Sequence, residues 1–293
     1  MKKNIEGIYA AIVTPMTASG EVNPKALRSL VRWELEHGVE GFYVCGSSGE
    51  GLLLSLSERK QVLETVLAEA GEHVPVVAHT GTIRTDEVIE LARHAAESGA
   101  AAVSMIPPYY YHFSQEEIIG YYENVLRAVN IPIIIYNIPA FTGVSFTRGS
   151  SARLLAHAQI AGIKHTSLNL YDLERMKNAY PEKIYFNGYD EIFLSGLAAG
   201  ATAAIGTTVN LFPKLFKEIR GLYLAGNMQN AAEFQHKLNT AVETFLEVGI
   251  FNAVKYVFTL WGIDCGSCRR PFIPLTDEQK RKIERLLDTV DLS

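Results

Sequence analysis

Eight short apolar runs recur along this chain, each followed by a polar or glycine-containing loop and then an amphipathic helix. That alternation restricts the folds open to it. The runs cover residues 8–13, 41–44, 74–78, 101–105, 131–136, 160–163, 184–186 and 203–205. Most are apolar throughout rather than at alternate positions, the pattern of strands covered on both faces. Helix boundaries fall where they should. Asn23 before Pro24 reads as an N-cap and first helical position. Another helix is expected to open near Ser57, and Ser114-Gln115-Glu116-Glu117 is a capping box. Gly38, Gly99 and Gly200 sit where helices return to strands. About eight βα units in succession predict a closed (β/α)8 TIM barrel of the α/β class. An open doubly wound sheet is the rival, but no G-x-G-x-x-G follows the first run. Residues 1–228 are assigned to the barrel. The tail, 229–293, carries helical but no strand patterns and is expected to pack on the barrel as a C-terminal helical extension.

With 293 residues, 48% hydrophobic and 20% charged, the chain is long enough for such a core. A formal net charge of −5 argues against a nucleic acid or a membrane surface as its partner. Three cysteines, an odd number, do not make a disulfide framework and fit a reducing compartment. Met1-Lys2-Lys3 opens like a signal peptide, but Glu6 and Pro15 interrupt the apolar core that one needs. No stretch approaches the roughly 20 apolar residues of a membrane span. A cytoplasmic protein is the expectation.

In a barrel, the residues just after each strand carry the chemistry. Here they are Thr14, Gly46-Ser47-Ser48-Gly49-Glu50, His79-Thr80, Pro108-Tyr109-Tyr110, Tyr136-Asn137, Lys164-His165-Thr166, Gly188-Tyr189-Asp190-Glu191 and Gly206-Thr207-Thr208. Lys164, at the end of the 160–163 run, is the sharpest feature. Among apolar neighbours a lysine gives up its proton more readily, and the neutral amine condenses with a carbonyl. The alternative is a lysine snorkelling from a strand end, and position alone does not choose between the two. Tyr136 closes the preceding run, one strand away, and its hydroxyl can both give and take a proton. Alone it would read as a core aromatic; beside Lys164 it reads as a proton relay.

Gly46-Ser47-Ser48-Gly49 forms a nest of backbone N–H groups and hydroxyls suited to a carboxylate or phosphate. Small polar loops are common, yet this one shares a barrel mouth with Lys164, and a 2-oxo acid places its carboxylate beside its carbonyl. Asp190 and Glu191 either cap the next helix or face the pocket, where they would accept hydrogen bonds from a neutral polyol. Tyr109-Tyr110-Tyr111 is a core or subunit-contact cluster that could also lend a hydroxyl to a relay with Ser47 and Tyr136. Cys265-Gly266-Ser267-Cys268 has C-x-x-C spacing without a second pair or a histidine nearby, so no metal or redox role is assigned to it. The eight histidines form no H-x-H or H-x-x-x-H cluster, which disfavours a metal-dependent aldolase.

Gly46-Ser47-Ser48-Gly49-Glu50, Tyr136-Asn137-Ile138-Pro139, Lys164-His165-Thr166 and Gly188-Tyr189-Asp190-Glu191 resemble the dihydrodipicolinate synthase/N-acetylneuraminate lyase superfamily. The resemblance spans nearly the whole chain, including Cys268-Arg269-Arg270-Pro271, and is greatest to the N-acetylneuraminate lyase branch. It implies a homotetramer that cleaves a 2-oxo sugar acid to N-acetylmannosamine and pyruvate through a lysine imine, with no cofactor. It implies that Lys164 is the imine lysine and Tyr136 the proton donor and acceptor. Ser47 and Ser48 would hold the carboxylate, and Thr166, Gly188, Asp190, Glu191 and Thr207 the sugar-derived part. Tyr110 would complete the relay with Ser47 across a subunit contact. Two departures bear on specificity. Ser47-Ser48 stands where the lyases usually have Ser-Thr, and Thr207 where they have Ser; both keep a hydroxyl. The synthase branch carries an arginine after Tyr-Asn-x-Pro, where this chain reads Ala140-Phe141-Thr142, which turns the pocket away from a second acidic group. The rivals are a sister 2-oxo acid aldolase, such as a dihydrodipicolinate synthase, and a non-catalytic sugar-acid-binding barrel.

Overall fold

A computed structural model describes residues 5–289. Eight parallel strands, β1 (Ile8–Ala11), β2 (Gly41–Val44), β3 (Val76–His79), β4 (Ala102–Met105), β5 (Ile133–Asn137), β6 (Ile160–His165), β7 (Ile184–Asn187) and β8 (Ala203–Gly206), pair in sequence order, and β8 closes on β1. This is the (β/α)8 barrel that the apolar runs predict. The expected helix starts also hold, with two local changes. The Asn23 side chain caps helix Pro24–Glu36, and Ser114 completes its capping box with Glu117. The helix expected near Ser57 instead starts at Leu56, because the capping box lies earlier, at Ser55 and Glu58. The strand bearing Lys164 runs two residues past the 160–163 run, to His165. Met1 to Asn4, and residues 290–293 of the tail, lie outside the described residues.

Two apolar layers hold the barrel together. Outward-facing strand residues such as Val44, Val103, Ile135 and Ile163 meet the surrounding helices. Inward-facing Tyr9, Tyr43, Val77, Ile134, Tyr136, Phe186 and Ile205 fill the interior. The interior is packed tightly enough to dictate a glycine: a Cβ at Gly41 would lie 2.3 Å from the Tyr9 ring.

The β5–β6 ladder contains one irregularity that sets up the site. Ile133 pairs with Ile160, but Ile134 pairs with Gly162, so β6 carries an extra residue at Ala161. Beyond this bulge Tyr136 pairs with Lys164. A regular ladder would have paired Tyr136 with Ile163 and turned Lys164 to the other face.

The tail forms helices Met228–Val248, Ile250–Leu260 and Asp277–Thr289. The first two meet at Gly249, whose φ of 101° lies in the left-handed region that favours glycine. Their corner folds over the C-terminal ends of the strands. No helix among the described residues is long and apolar enough to cross a membrane.

Candidate active site

At that end of the barrel a pocket of about 140 Å³ is lined by Ser47, Ser48, Tyr136, Lys164, Thr166, Gly188, Asp190, Glu191 and Thr207. Nine of the ten residues to which the resemblance gives a role thus border one cavity. Tyr110 does not: it is 84% exposed, packs edge-on against Tyr111, and holds a left-handed φ of 75°.

Lys164 is 4% exposed. Its Nζ stands 4.1 Å from the centroid of the Tyr136 ring and 4.3 Å from that of Tyr43. The apolar surround expected of it is therefore two aromatic faces, which attract a cation and fix where the amine sits. The Tyr43 hydroxyl donates to Ser104 Oγ at 3.0 Å, and burial, with Tyr136 nearby, pushes this phenol well above its ordinary range. His79 packs edge-on against Tyr136 and is held neutral by burial and by the charges of Arg59 and Lys164.

The hydroxyl nest faces this group. Ser48 Oγ and Thr207 Oγ1 lie 2.7 Å apart, so Thr207 borders the same corner as Ser48. Thr14, a strand-end residue of the sequence reading, lies behind the nest, with its hydroxyl donating to Gly49 O at 2.7 Å.

Next to the Thr207 corner Asp190 is buried, and its Oδ2 accepts from both the backbone N and the hydroxyl of Thr208 at 2.7 and 2.8 Å. Burial nevertheless raises its pKa to about 6, with the Thr208 bonds pulling the other way. The loop carrying Asp190 is held from the tail, since Gln235 Nε2 donates to the Asp190 carbonyl at 3.1 Å. Glycines make room for this cluster: a Cβ at Gly188 would lie 1.9 Å from Thr166 Oγ1, and one at Gly206 would lie 1.9 Å from Asp190 Oδ1. Thr166 Oγ1 is buried without a hydrogen-bond partner, at the pocket wall. A buried hydroxyl left bare costs stability unless something fills the bond. Glu191 also reaches the pocket.

The pocket has a further wall that the sequence reading left unassigned. Val242, Leu246, Ile250 and Phe251 come from the tail, and Phe141 from the segment after β5. Helical periodicity marks such residues as one apolar face without saying which surface the face meets, so no local signal places them at the mouth. The three cysteines are all buried, and burial pushes Cys265 and Cys268 up to about 12. Among the described residues no group of three or more His, Cys, Asp or Glu side chains could hold a metal ion.

A closed (β/α)8 barrel with a tyrosine-flanked lysine, a hydroxyl nest and two carboxylates at one mouth defines the class of barrel lyases that work through a lysine imine. The chain belongs to the dihydrodipicolinate synthetase family, whose model matches residues 4–290. It is 41% identical over 268 residues to the N-acetylneuraminate lyase of Rhizobium meliloti (strain 1021), covering 92% of this chain and 89% of the relative. A Clostridium difficile protein solved in complex with mannosamine superimposes with a TM-score of 0.96 at 32% identity, over 99% of this chain and 100% of that one. The catalytic lysine mutant of the Ruminococcus gnavus sialic acid aldolase gives a TM-score of 0.93 at 31% identity, over 98% and 96% of the two chains.

Proposed function

We propose that this protein is an N-acetylneuraminate lyase, with Lys164 as its imine-forming residue. The observation that carries the reading is the register pair Tyr136 and Lys164, inward-facing on adjacent strands, in a pocket shared with Ser48, Thr207, Asp190 and Glu191. The Lys164 amine adds to the substrate ketone, and loss of water leaves a protonated imine. The carboxylate beside that carbon rests in the Ser47/Ser48 nest. Tyr136 then takes the proton from the hydroxyl at the breaking bond. The carbon–carbon bond electrons move into the imine, the amino sugar departs as an aldehyde, and an enamine of pyruvate remains. Protonation of its terminal carbon and addition of water release pyruvate and free Lys164. The imine serves as the electron sink, so the sequence of steps needs no cofactor.

Thr166, Gly188, Asp190 and Glu191 are assigned to the hydroxylated chain, because carboxylates accept from hydroxyls and would repel a second acid. Thr207 belongs to the same set, and its contact with Ser48 supports a place at the border between chain and carboxylate. Among the described residues no arginine lines the pocket, and Phe141 stands in the segment where the synthase branch is expected to carry one. This favours a sugar acid over aspartate semialdehyde. In the same reading residues 1–228 are the catalytic barrel and 229–293 its helical extension. The assembly is a cytoplasmic homotetramer in which Tyr110, exposed on the single chain, meets the relay of a neighbouring subunit through Ser47.

Incubation with pyruvate and borohydride followed by peptide mapping tests the central step. A reduced adduct on Lys164 is expected, and an unmodified Lys164 would reject the mechanism. Rapid turnover of aspartate semialdehyde, with none of N-acetylneuraminate, would transfer the chain to the synthase branch. Ligand binding without turnover would favour a non-catalytic sugar-acid-binding barrel.

A further inference from the structure

The nest that faces Lys164 is held from behind by a buried charge that plays no part in the steps above. Glu50 follows directly on Gly46-Ser47-Ser48-Gly49, and its side chain and that of Lys255 are both completely shielded from solvent. The two form an ion pair. Lys255 belongs to helix Ile250–Leu260, within the tail and 205 residues away along the chain. Glu50 Oε2 also accepts from the backbone N of Arg269 at 2.6 Å. One carboxylate thus ties the nest to two separate parts of the tail.

The surrounding bonds make this a continuous brace. Asn252 lies three residues before Lys255, on the same helix face, and accepts from Cys268 N at 2.8 Å while donating to Ile273 O at 3.0 Å. Arg269 donates to Leu53 O at 2.8 Å and to Gly20 O at 2.7 Å, and forks onto both oxygens of Glu58. The segment being braced is strained. Cys45 and Glu50, on either side of the nest, hold left-handed φ values of 59° and 56°, which non-glycine residues seldom adopt. A Cβ at Gly51 would lie 1.8 Å from Cys45 O, so the loop is folded back hard on itself. Such a backbone persists only where its surroundings over-determine it. A buried ion pair also contributes little net stability compared with an apolar replacement, so stability alone does not account for its presence behind the nest.

We infer that Glu50 and Lys255 are positioning residues: through their ion pair and the Arg269 strap, the C-terminal tail sets the geometry of the Ser47/Ser48 nest and so the affinity for the 2-oxo acid carboxylate. The inference rests on the reading of Lys164 as the imine lysine and of the nest as the carboxylate site.

Removing one partner alone would strand a buried charge and threaten folding. The test therefore uses the charge-free pair Glu50→Gln with Lys255→Met, which keeps an oxygen for Arg269 N. A second variant, Arg269→Gln, loosens the strap without burying a charge. Each full-length protein is titrated with pyruvate under borohydride, and the half-saturating concentration and limiting yield of the Lys164 adduct are read separately, with the melting temperature alongside. The double variant should need roughly tenfold more pyruvate or above for half-saturation, the scale of a site held slightly out of place. Its limiting yield should stay that of the parent, and Arg269→Gln should move the same way by less. A purely structural role would lower the melting temperature and the yield while leaving half-saturation unchanged, and that result overturns the inference. If the double variant does not fold, Arg269→Gln alone decides by the same criterion. A parent protein that captures no pyruvate overturns the imine reading, and this inference with it. A parent that captures pyruvate beside variants with unaltered half-saturation overturns this inference alone.

Discussion

Tyr136 and Lys164 are register partners on β5 and β6, and the lysine Nζ lies 4.1 Å from the centre of the tyrosine ring. In the proposed mechanism the ring and the hydroxyl of Tyr136 have separable roles, one seating the amine and the other moving the proton. Tyr136→Phe keeps the ring. It should leave the Lys164 adduct with pyruvate obtainable while lowering kcat by about 10²- to 10⁴-fold, the usual contribution of a positioned acid–base group. Lys164→Ala should abolish the adduct. Full turnover by Tyr136→Phe would remove the tyrosine from the proton path.

The pairing depends on the extra residue in β6, and Gly162 makes that ladder possible: a Cβ there would lie 1.9 Å from Ile184 O. Gly162→Ala should force β6 away from β7, destabilise the fold by about 1–3 kcal/mol as overpacked cores are, and misplace Lys164. Urea unfolding and borohydride trapping measure the two effects. A variant with parental stability and parental trapping would show that the close approach is not needed.

Most of the barrel could be read from the apolar runs, because parallel strands covered on both faces leave an unbroken apolar signature. The Lys164–Tyr136 neighbourhood was legible too, but only as proximity. The bulge that turns Lys164 inward to meet Tyr136 has no local sequence signal, since Ala161 differs little from its neighbours. Tyr43 went unassigned because an aromatic within a strand reads as core; its contact with Lys164 depends on the closure of the barrel. The tail's share in the site, through Leu246, Phe251, Gln235 and Lys255, depends on the docking of distant helices, which periodicity does not encode.

Asp190 titrates at about 6 in the folded chain against an ordinary 3.8, because burial disfavours its charge. The folded state therefore holds this proton more tightly than the unfolded state does. The stability it contributes is complete below about pH 4 and is lost as pH rises through about 6. The linked change is of the order of 3 kcal/mol. Asp190→Asn removes the titration and still offers Thr208 an oxygen. Parent minus variant stability, from urea unfolding, should fall across that interval; a flat difference would refute the assignment. If the charged form accepts substrate hydroxyls, the acid limb of kcat/KM near pH 6 should also vanish in the variant.

Ser48 Oγ and Thr207 Oγ1, 2.7 Å apart, come from the loops after β2 and β8, the two strands that flank β1. Each hydroxyl has one proton to donate, so when they bond to each other only one proton remains for a carboxylate, and a bound anion must reorganise the pair. Their effects on 2-oxo acid binding should therefore depend on each other. Ser48→Ala and Thr207→Val should each weaken pyruvate capture by about 1 kcal/mol, the usual worth of one hydrogen bond. The double variant should depart from the sum by about 0.5 kcal/mol or more, as groups in contact do. Thr207→Ser keeps the hydroxyl and should stay close to the parent. The half-saturating pyruvate concentration for trapping Lys164 measures all four variants, and strict additivity would mean that the two hydroxyls act on separate parts of the ligand.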